Sequence, residues 1–127
     1  MKLILAILLG GALGQVEAPA TSNPHTSPED VARGERLYQG ACMGCHGPRG
    51  DGGTGANLAV PRLARASDDP ALFKIVKNGI PGTEMPRAWS MTDREIWQVA
   101  AFVRTLGRTT PQAVPGDPAR GEQLYRT

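Results

Sequence analysis

Apolar residues recur every three or four positions in three stretches of the chain, a period typical of a helix with one buried face. The first stretch covers residues 28–41, the second covers residues 71–78, and the third begins after residue 92. No strand pattern flanks the first stretch, and the chain is predicted to be all-α with three main helices. The apolar positions are Val31, Gly34, Leu37, Tyr38 and Ala41, then Leu72, Ile75 and Val76, then Ile96, Val99, Ala100, Val103 and Leu106.

Local signals mark where these helices begin and end. Each start has a residue whose side-chain oxygen can cap the first free amides, and the third start is a complete capping box. Glycines follow the second and third helices, and we expect them to end each helix in the left-handed conformation. The start signals are Ser27 with Pro28, Asp68 with Asp69 and Pro70, and Thr92 with Glu95; the glycines are Gly79 and Gly107.

The first residues have the pattern of an export signal. Lys2 supplies a positive charge, residues 3–13 are a short apolar run, and small residues precede a cleavage point before Gln15. The run is shorter than the ~20 apolar residues that span a bilayer, so a retained membrane anchor is the less favoured alternative. We therefore predict a signal peptide over residues 1–14. Residues 15–27 are rich in Pro, Ser, Thr, Asn and Ala without periodicity, which predicts a flexible leader.

Length and charge limit the function classes. The 127 residues include 14 Lys and Arg against 12 Asp and Glu, a formal net charge of +2. The part after the signal has room for one small domain, and such domains often need a metal or cofactor to supplement their core. There is no basic run and only 5% of the residues are aromatic, so nucleic-acid binding has no support.

Two thiols and an imidazole lie within five residues, Cys42-Met43-Gly44-Cys45-His46. The order C-x-x-C-H is the attachment signature of a c-type haem, because one helical turn presents both thiols to the same porphyrin edge and the histidine follows as proximal iron ligand. Structural zinc needs four ligands, and a thioredoxin-type pair needs a βαβ context that is missing. Since the chain has only these two cysteines, haem c is the favoured cofactor, and zinc or a redox disulfide are the remaining alternatives.

A haem iron in an electron carrier takes a second protein ligand, commonly a methionine whose soft thioether raises the reduction potential. Met43 lies inside the attachment turn, Met91 lies beside the cap of the third helix, and His25 belongs to the leader. Met85 stands in a loop rich in glycine and proline, about 40 residues after the attachment motif. We therefore predict Met85 as the second ligand, a packing role for Met91 and a solvated position for His25, while Met43 cannot reach the opposite face of the haem.

Other residues are expected to surround the cofactor without binding it. Residues 47–57 are rich in glycine and spell G-x-G-x-x-G from Gly50 to Gly55, but the strand and helix that a dinucleotide site requires are missing. Tight turns with positive φ around the cofactor are the expected use of these glycines. Trp89 and Trp97 are both expected to pack, with a hydrogen bond from the indole N–H to a haem propionate as the less favoured alternative.

With these pieces in place, residues 27–108 resemble a class I cytochrome c. The resemblance implies a small cytochrome c-like fold, with three main helices wrapped around one covalently bound haem. It also implies that Gly34 lets the first and last helices cross closely, and that the Pro61 carbonyl accepts a hydrogen bond from the His46 imidazole. The residues that carry it are Gly34, Tyr38, Cys42, Cys45 and His46, then Pro61 with Leu63, the segment Gly82-Thr83-Glu84-Met85-Pro86, and Val99 with Phe102.

The same resemblance implies electron transfer by a haem c that Cys42 and Cys45 attach and that His46 and Met85 ligate. The chain is then not an enzyme and has no small-molecule substrate. Its partners would be redox proteins, namely a dehydrogenase, an oxidase or another cytochrome, in the periplasm or in association with a membrane complex. Two alternatives stay open, a fragment of a di-haem peroxidase-like enzyme and a cytochrome subunit of a dehydrogenase or oxidase.

A short repeat suggests a second domain. Residues 28–38 and residues 115–125 agree at eight of eleven positions, at a constant offset of 87 residues. An offset of that size is about one small domain. The equivalent of Cys42 would be position 129, two residues after Thr127. We therefore predict a cytochrome c domain over residues 28–108, followed over residues 109–127 by a linker and the start of a truncated second domain.

Overall fold

Four helices make up the domain in a computed structural model, which describes residues 20–108, 120 and 122. They are α1 (Pro28–Ala41), α2 (Met43–His46), α3 (Asp69–Asn78) and α4 (Asp93–Leu106), and the described residues contain no strand. The all-α prediction is confirmed. The three predicted helices are α1, α3 and α4. The additional helix, α2, is only four residues long and lies within the C-x-x-C-H motif.

The predicted caps are present at all three main helices. The Ser27 side chain accepts a hydrogen bond from the Asp30 amide, and the Asp68 side chain accepts one from the Ala71 amide. At α4 the capping box is complete, with both of its reciprocal hydrogen bonds formed. Since each cap joins residues only three positions apart, the local sequence determines these starts.

The two predicted helix-ending glycines differ in conformation. Gly79 has the expected positive φ of 70°, but Gly107 has φ −86°, so the left-handed end predicted for α4 is wrong. Gly107 is needed for another reason: a Cβ at this position would overlap the backbone carbonyl of Val60. A close approach of two chain segments, which the local sequence does not reveal, explains this glycine.

The crossing of α1 and α4 organises the core. A Cβ on Gly34 would overlap the backbone carbonyl of Gln98 and would lie 3.1 Å from Cβ of Phe102. The Tyr38 ring packs against Phe102 with ring centroids 5.2 Å apart, and its hydroxyl donates to the Gly47 carbonyl at 2.7 Å. The buried apolar core consists of Tyr38, Ala66, Leu72, Val76, Ile96, Val99, Ala100 and Val103.

One residue of the predicted leader, Asn23, is buried against the helices, although most of its neighbours in residues 20–27 are exposed. The Asn23 side chain is 8% exposed and donates to the Trp97 carbonyl at 2.8 Å. Its backbone N–H donates to the Asp69 carboxylate at 3.2 Å, and its amide oxygen accepts from the His25 N–H. The packed domain therefore extends upstream of the predicted boundary, at least to Asn23.

Several predictions concern residues outside this description. The signal peptide over residues 1–14, the beginning of the leader and nearly all of residues 109–127 lie outside the described residues. Arg120 and Glu122 are described, and both are helical, as are their counterparts Arg33 and Glu35 in α1. Within the described part of the chain, no helix has the length and apolar character needed to cross a membrane.

Two carboxylates, those of Asp30 and Glu95, accept hydrogen bonds at the N-terminal ends of α1 and α4. The hydrogen bond from the buried Gln98 side chain, 2.7 Å long, is the main cause that lowers the pKa of Asp30. The hydrogen bond from the Thr92 backbone, followed by the one from its hydroxyl, lowers the pKa of Glu95. In the folded protein both groups therefore release their protons at lower pH than in the unfolded chain.

We predict that acid weakens the fold through these two groups. Stability is greatest above the ordinary carboxylate pKa values of about 3.9–4.3 and falls as pH drops through the lower folded values, because the unfolded chain binds protons first. The variant Asp30→Asn/Glu95→Gln should be less stable than wild type at pH 7 and closer to it at pH 3. Urea unfolding across this range measures the difference, with Glu35→Gln, an exposed position of α1, as control. If the free energy of unfolding changed with pH by the same amount in wild type and in the double variant, the prediction would be contradicted.

Candidate functional site

The attachment motif continues the last turn of α1. The Cys42 N–H donates to the Tyr38 carbonyl at 2.8 Å, so Cys42 both ends α1 and precedes α2. The N–H groups of Cys45 and His46 then donate to the Cys42 carbonyl at 3.2 and 3.0 Å. Backbone hydrogen bonds alone thus bring the two thiols and the imidazole into one helical turn.

All four predicted site residues line one cleft, whose volume is about 440 Å³. Cys42, Cys45 and His46 line it from the attachment motif, and Met85 lines it from a segment about 40 residues further along the chain. The remaining lining residues are Ala41, Thr54, Gly55, Val76, Thr83, Glu84, Pro86, Arg87, Ala88, Trp89, Ser90 and Met91.

The hydrogen bond of the His46 ring goes to a different residue from the predicted one. Nδ1 lies 2.8 Å from the carbonyl oxygen of Ala56, not of Pro61, so the Pro61 prediction is wrong. A carbonyl can only accept, so the ring donates from Nδ1 and Nε2 keeps its lone pair for a metal. The loop after the motif folds back immediately onto His46, which explains why the nearer carbonyl is the partner.

That loop relies on glycine, as predicted. Gly47, Gly50 and Gly52 have positive φ, and the Gly52 N–H donates to the His46 carbonyl at 2.8 Å. Gly55 is needed for space instead, because a Cβ there would lie 2.9 Å from Cε1 and Nδ1 of the His46 ring. The glycine-rich loop therefore encloses the imidazole and holds its orientation.

Two methionines, not one, line the cleft. Met85 is half-buried, and Met91 is half-buried and also packs against the apolar core. Met43 is 43% exposed and does not line the cleft, and His25 lies beside Asp30 instead, with Nδ1 3.9 Å from the carboxylate. The structure thus agrees with the packing role predicted for Met91, but places it closer to the cofactor site than the sequence indicated.

The two tryptophans behave differently. Trp97 stacks on Phe73 with ring centroids 4.3 Å apart, so its packing prediction is confirmed. Trp89 is 78% exposed, so the packing prediction for it is wrong. Its ring lies at the rim of the cleft with the Arg87 guanidinium 5.2 Å from the ring centroid, a cation–π contact.

The alternatives to haem find little support in the site. Burial, followed by the charge of neighbouring Cys45, raises the pKa of the Cys42 thiol, whereas reactive redox cysteines have a lowered pKa. The two cysteines do not form a disulfide. Among the described residues, no three His, Cys, Asp or Glu side chains are grouped so that they could hold a metal ion.

Comparison with known proteins agrees with this chemistry. Residues 29–103 match the family model described as cytochrome c oxidase, cbb3-type, subunit III. Cytochrome c4 of Thiocapsa roseopersicina is 30% identical over 118 residues, which cover 88% of this chain and 55% of that protein.

Two solved structures have a similar fold. Cytochrome cL of Methylophaga aminisulfidivorans has a TM-score of 0.61 and 28% identity, over 66% of this chain and 60% of that one. Cytochrome cL of Hyphomicrobium denitrificans has a TM-score of 0.54 and 26% identity, over 59% of this chain and 46% of that one. The chain thus spans less than two thirds of the length of each of these relatives. Because the family model matches more than half of it, the chain belongs to the class I cytochrome c family, whose members transfer electrons through a covalently bound haem.

Proposed function

We propose that this domain carries one haem c, attached through Cys42 and Cys45 and ligated by His46 and Met85, and passes single electrons between redox proteins. The observation that carries the proposal is the shared cleft, which contains two thiols, an imidazole and a thioether from two distant segments. Each of these groups has a separate role in the proposed site.

The cleft suits such a group in size and chemistry. Its volume of about 440 Å³ lies within the ~300–1,000 Å³ typical of cofactor sites, and apolar side chains such as Val76 and Ala88 contribute to its lining. When bound, the haem supplies an iron that cycles between Fe(II) and Fe(III). The thiols provide attachment, and the imidazole and thioether are the donor pair that raises the reduction potential in cytochromes c.

Contacts within the protein fix the position of the His46 imidazole, one of the two proposed iron ligands. The Ala56 carbonyl accepts from Nδ1 of His46 and so fixes the tautomer and the orientation of the ring, with Nε2 directed to the proposed iron. Gly55 leaves the space in which the ring lies, and the hydroxyl of Tyr38 ties the Gly47 end of the loop to the core. The residues around His46 therefore influence the potential as well as the fold.

We predict that Gly55→Ala raises the reduction potential. Its Cβ pushes on the His46 ring, weakens the hydrogen bond to Ala56 and so makes the imidazole a poorer donor to Fe(III). Loss of roughly 1 kcal/mol of hydrogen bonding corresponds to about 40 mV for one electron, at 59 mV per tenfold change. Potentiometric titration measures the shift, with Gly44→Ala as control because nothing lies within 4 Å of a Cβ there. An equal potential in both variants would refute this role of Gly55.

We further propose a periplasmic location, export by the N-terminal signal, and a dehydrogenase, an oxidase or another cytochrome as partner. The matching family is described as a subunit of an oxidase, which supports an oxidase complex in particular. The repeat supports a second haem domain downstream, and Arg120 and Glu122 are helical as that proposal requires. The reading frame beyond Thr127 tests it, since a second C-x-x-C-H within a few codons is expected.

The central experiment is expression in a host that attaches haem c, followed by a haem stain on a denaturing gel. A stained band shows covalent attachment, and a reversible one-electron titration shows a carrier. Loss of haem on denaturation would contradict the proposal. Binding of carbon monoxide to the reduced protein separates the two function classes, because an open iron of a peroxidase-like enzyme binds it rapidly and a Met85-ligated carrier does not.

A further inference from the structure

The segment that carries Met85 is a turn closed by its own hydrogen bonds. The Ile80 N–H donates to the Met85 carbonyl at 3.1 Å, and the Thr83 N–H donates to the Ile80 carbonyl at 3.2 Å. Residues 80–85 thus form a small ring of backbone hydrogen bonds outside any helix. Met85 is its last residue, so the geometry of the ring determines where the methionine side chain begins.

One side chain bridges this ring from within. The Thr83 hydroxyl donates to the Ile80 carbonyl at 2.8 Å and accepts from the Met85 N–H at 3.2 Å. A single hydroxyl therefore connects the first residue of the turn to the last one. It also satisfies the backbone N–H of Met85, which would otherwise have water as its partner.

The chain segments before and after the turn both contact α3. Gly79 ends that helix, and a Cβ on it would lie 2.6 Å from the Met85 carbonyl oxygen. After the turn, the Ala88 N–H donates to the Val76 carbonyl at 3.1 Å. The ends of the segment are thus fixed by backbone contacts, and within the turn Thr83 supplies the side-chain link.

We propose that Thr83 is a positioning residue for Met85, whose hydroxyl determines how readily an external ligand displaces the methionine from the haem iron. This inference rests on the proposed ligation by Met85. Displacement requires the turn to open, and the apparent affinity of a competing ligand scales with the open fraction. Loss of the two hydroxyl hydrogen bonds increases that fraction. Because Thr83 is solvent-exposed, its replacement leaves the apolar core intact.

The test compares imidazole binding to the ferric haem protein across matched variants. Thr83→Val keeps the shape of the side chain but loses the hydroxyl, and is expected to bind imidazole about thirtyfold more tightly than wild type, as the loss of two ordinary hydrogen bonds predicts. Thr83→Ser restores the hydroxyl and should bind within about twofold of wild type. Thr105→Val removes a similar hydroxyl, one that donates to the Phe102 carbonyl at 2.6 Å in α4, and should leave imidazole affinity unchanged.

Different results identify which idea fails. If Met85→Ala leaves the ferric spectrum and imidazole affinity unchanged, the proposed ligation is wrong. If Met85→Ala changes both but Thr83→Val and Thr83→Ser behave alike, Met85 is the ligand and the role of Thr83 is refuted. Thermal unfolding separates positioning from a general loss of stability: Thr83→Ser should unfold close to wild type, Thr83→Val should be less stable by no more than the loss of two hydrogen bonds predicts, and a larger loss would refute the positioning role. A Thr83→Val protein that unfolds more easily without binding imidazole more tightly also overturns the inference.

Discussion

A Met85→Ala variant is expected to change from a low-spin to a high-spin haem protein, with a reduction potential lower by on the order of 0.2 V. Methionine sulfur favours Fe(II), and the choice of axial ligand sets haem potentials over a range of about 0.8 V. Alanine has no donor atom to replace the thioether. Since Met85 lines the same cleft as His46 and both cysteines, the change acts directly on the proposed iron site.

Absorption spectra of the ferric protein and potentiometric titration measure this effect. Met43→Ala is the first control, because Met43 lies outside the cleft lining and should leave spectrum and potential unchanged. Met91→Ala is the second control: Met91 packs on the core, so its loss should lower stability by less than the ~2–5 kcal/mol of a fully buried methionine. An unchanged low-spin spectrum in Met85→Ala would disprove its ligation, and a high-spin spectrum in Met91→Ala would transfer the role to Met91.

Gly34→Ala is expected to destabilise the fold by about 3 kcal/mol, at the upper end of the usual cost of overpacking. The new Cβ would overlap the backbone carbonyl of Gln98, and a backbone group cannot move aside as a flexible side chain does. Helices α1 and α4 would have to separate. That separation would also disturb the contact between Tyr38 and Phe102 beneath the crossing.

Gly40→Ala provides a control with the same substitution in the same helix. Nothing lies within 4 Å of a Cβ at Gly40, so alanine should stabilise the protein by about 0.5–1 kcal/mol through its better helix propensity. Urea unfolding with comparable m-values measures both changes. Stabilisation in both variants would mean that helix propensity, and not the crossing, governs Gly34.

Elements that depend on neighbouring residues were predicted well. The caps at Ser27, Asp68 and Thr92 each join residues three positions apart, so their signals are complete in the sequence. The attachment motif is equally local, because backbone hydrogen bonds between Cys42 and His46 form its turn. The main difference is at α3, which begins at Asp69, two residues before the predicted start, because Pro70 is accommodated in the first turn.

Predictions that depend on distant segments were less successful. The carbonyl partner of His46 belongs to Ala56 and not to Pro61, because the path of the loop decides which carbonyl reaches the ring. Gly107 is required by the nearby Val60 carbonyl and not by its own φ. Trp89 is exposed at the rim of the cleft although its apolar ring predicted packing. In each case the contact, or its absence, depends on the path of the chain outside the helices, which the local sequence pattern does not reveal.

The sequence by itself determined the helices, their caps and the C-x-x-C-H turn, because each of these rests on hydrogen bonds between residues a few positions apart. It also indicated haem attachment, since two thiols and an imidazole in one turn suit little other chemistry. Only the tertiary structure decided that Met85 and the attachment motif share one cleft, which carbonyl orients His46 and how Thr83 closes the turn before Met85. The shared cleft joins segments about 40 residues apart, and the paths of the two loops that carry Ala56 and Thr83 are not given by any local motif, so these features appear only in the folded chain.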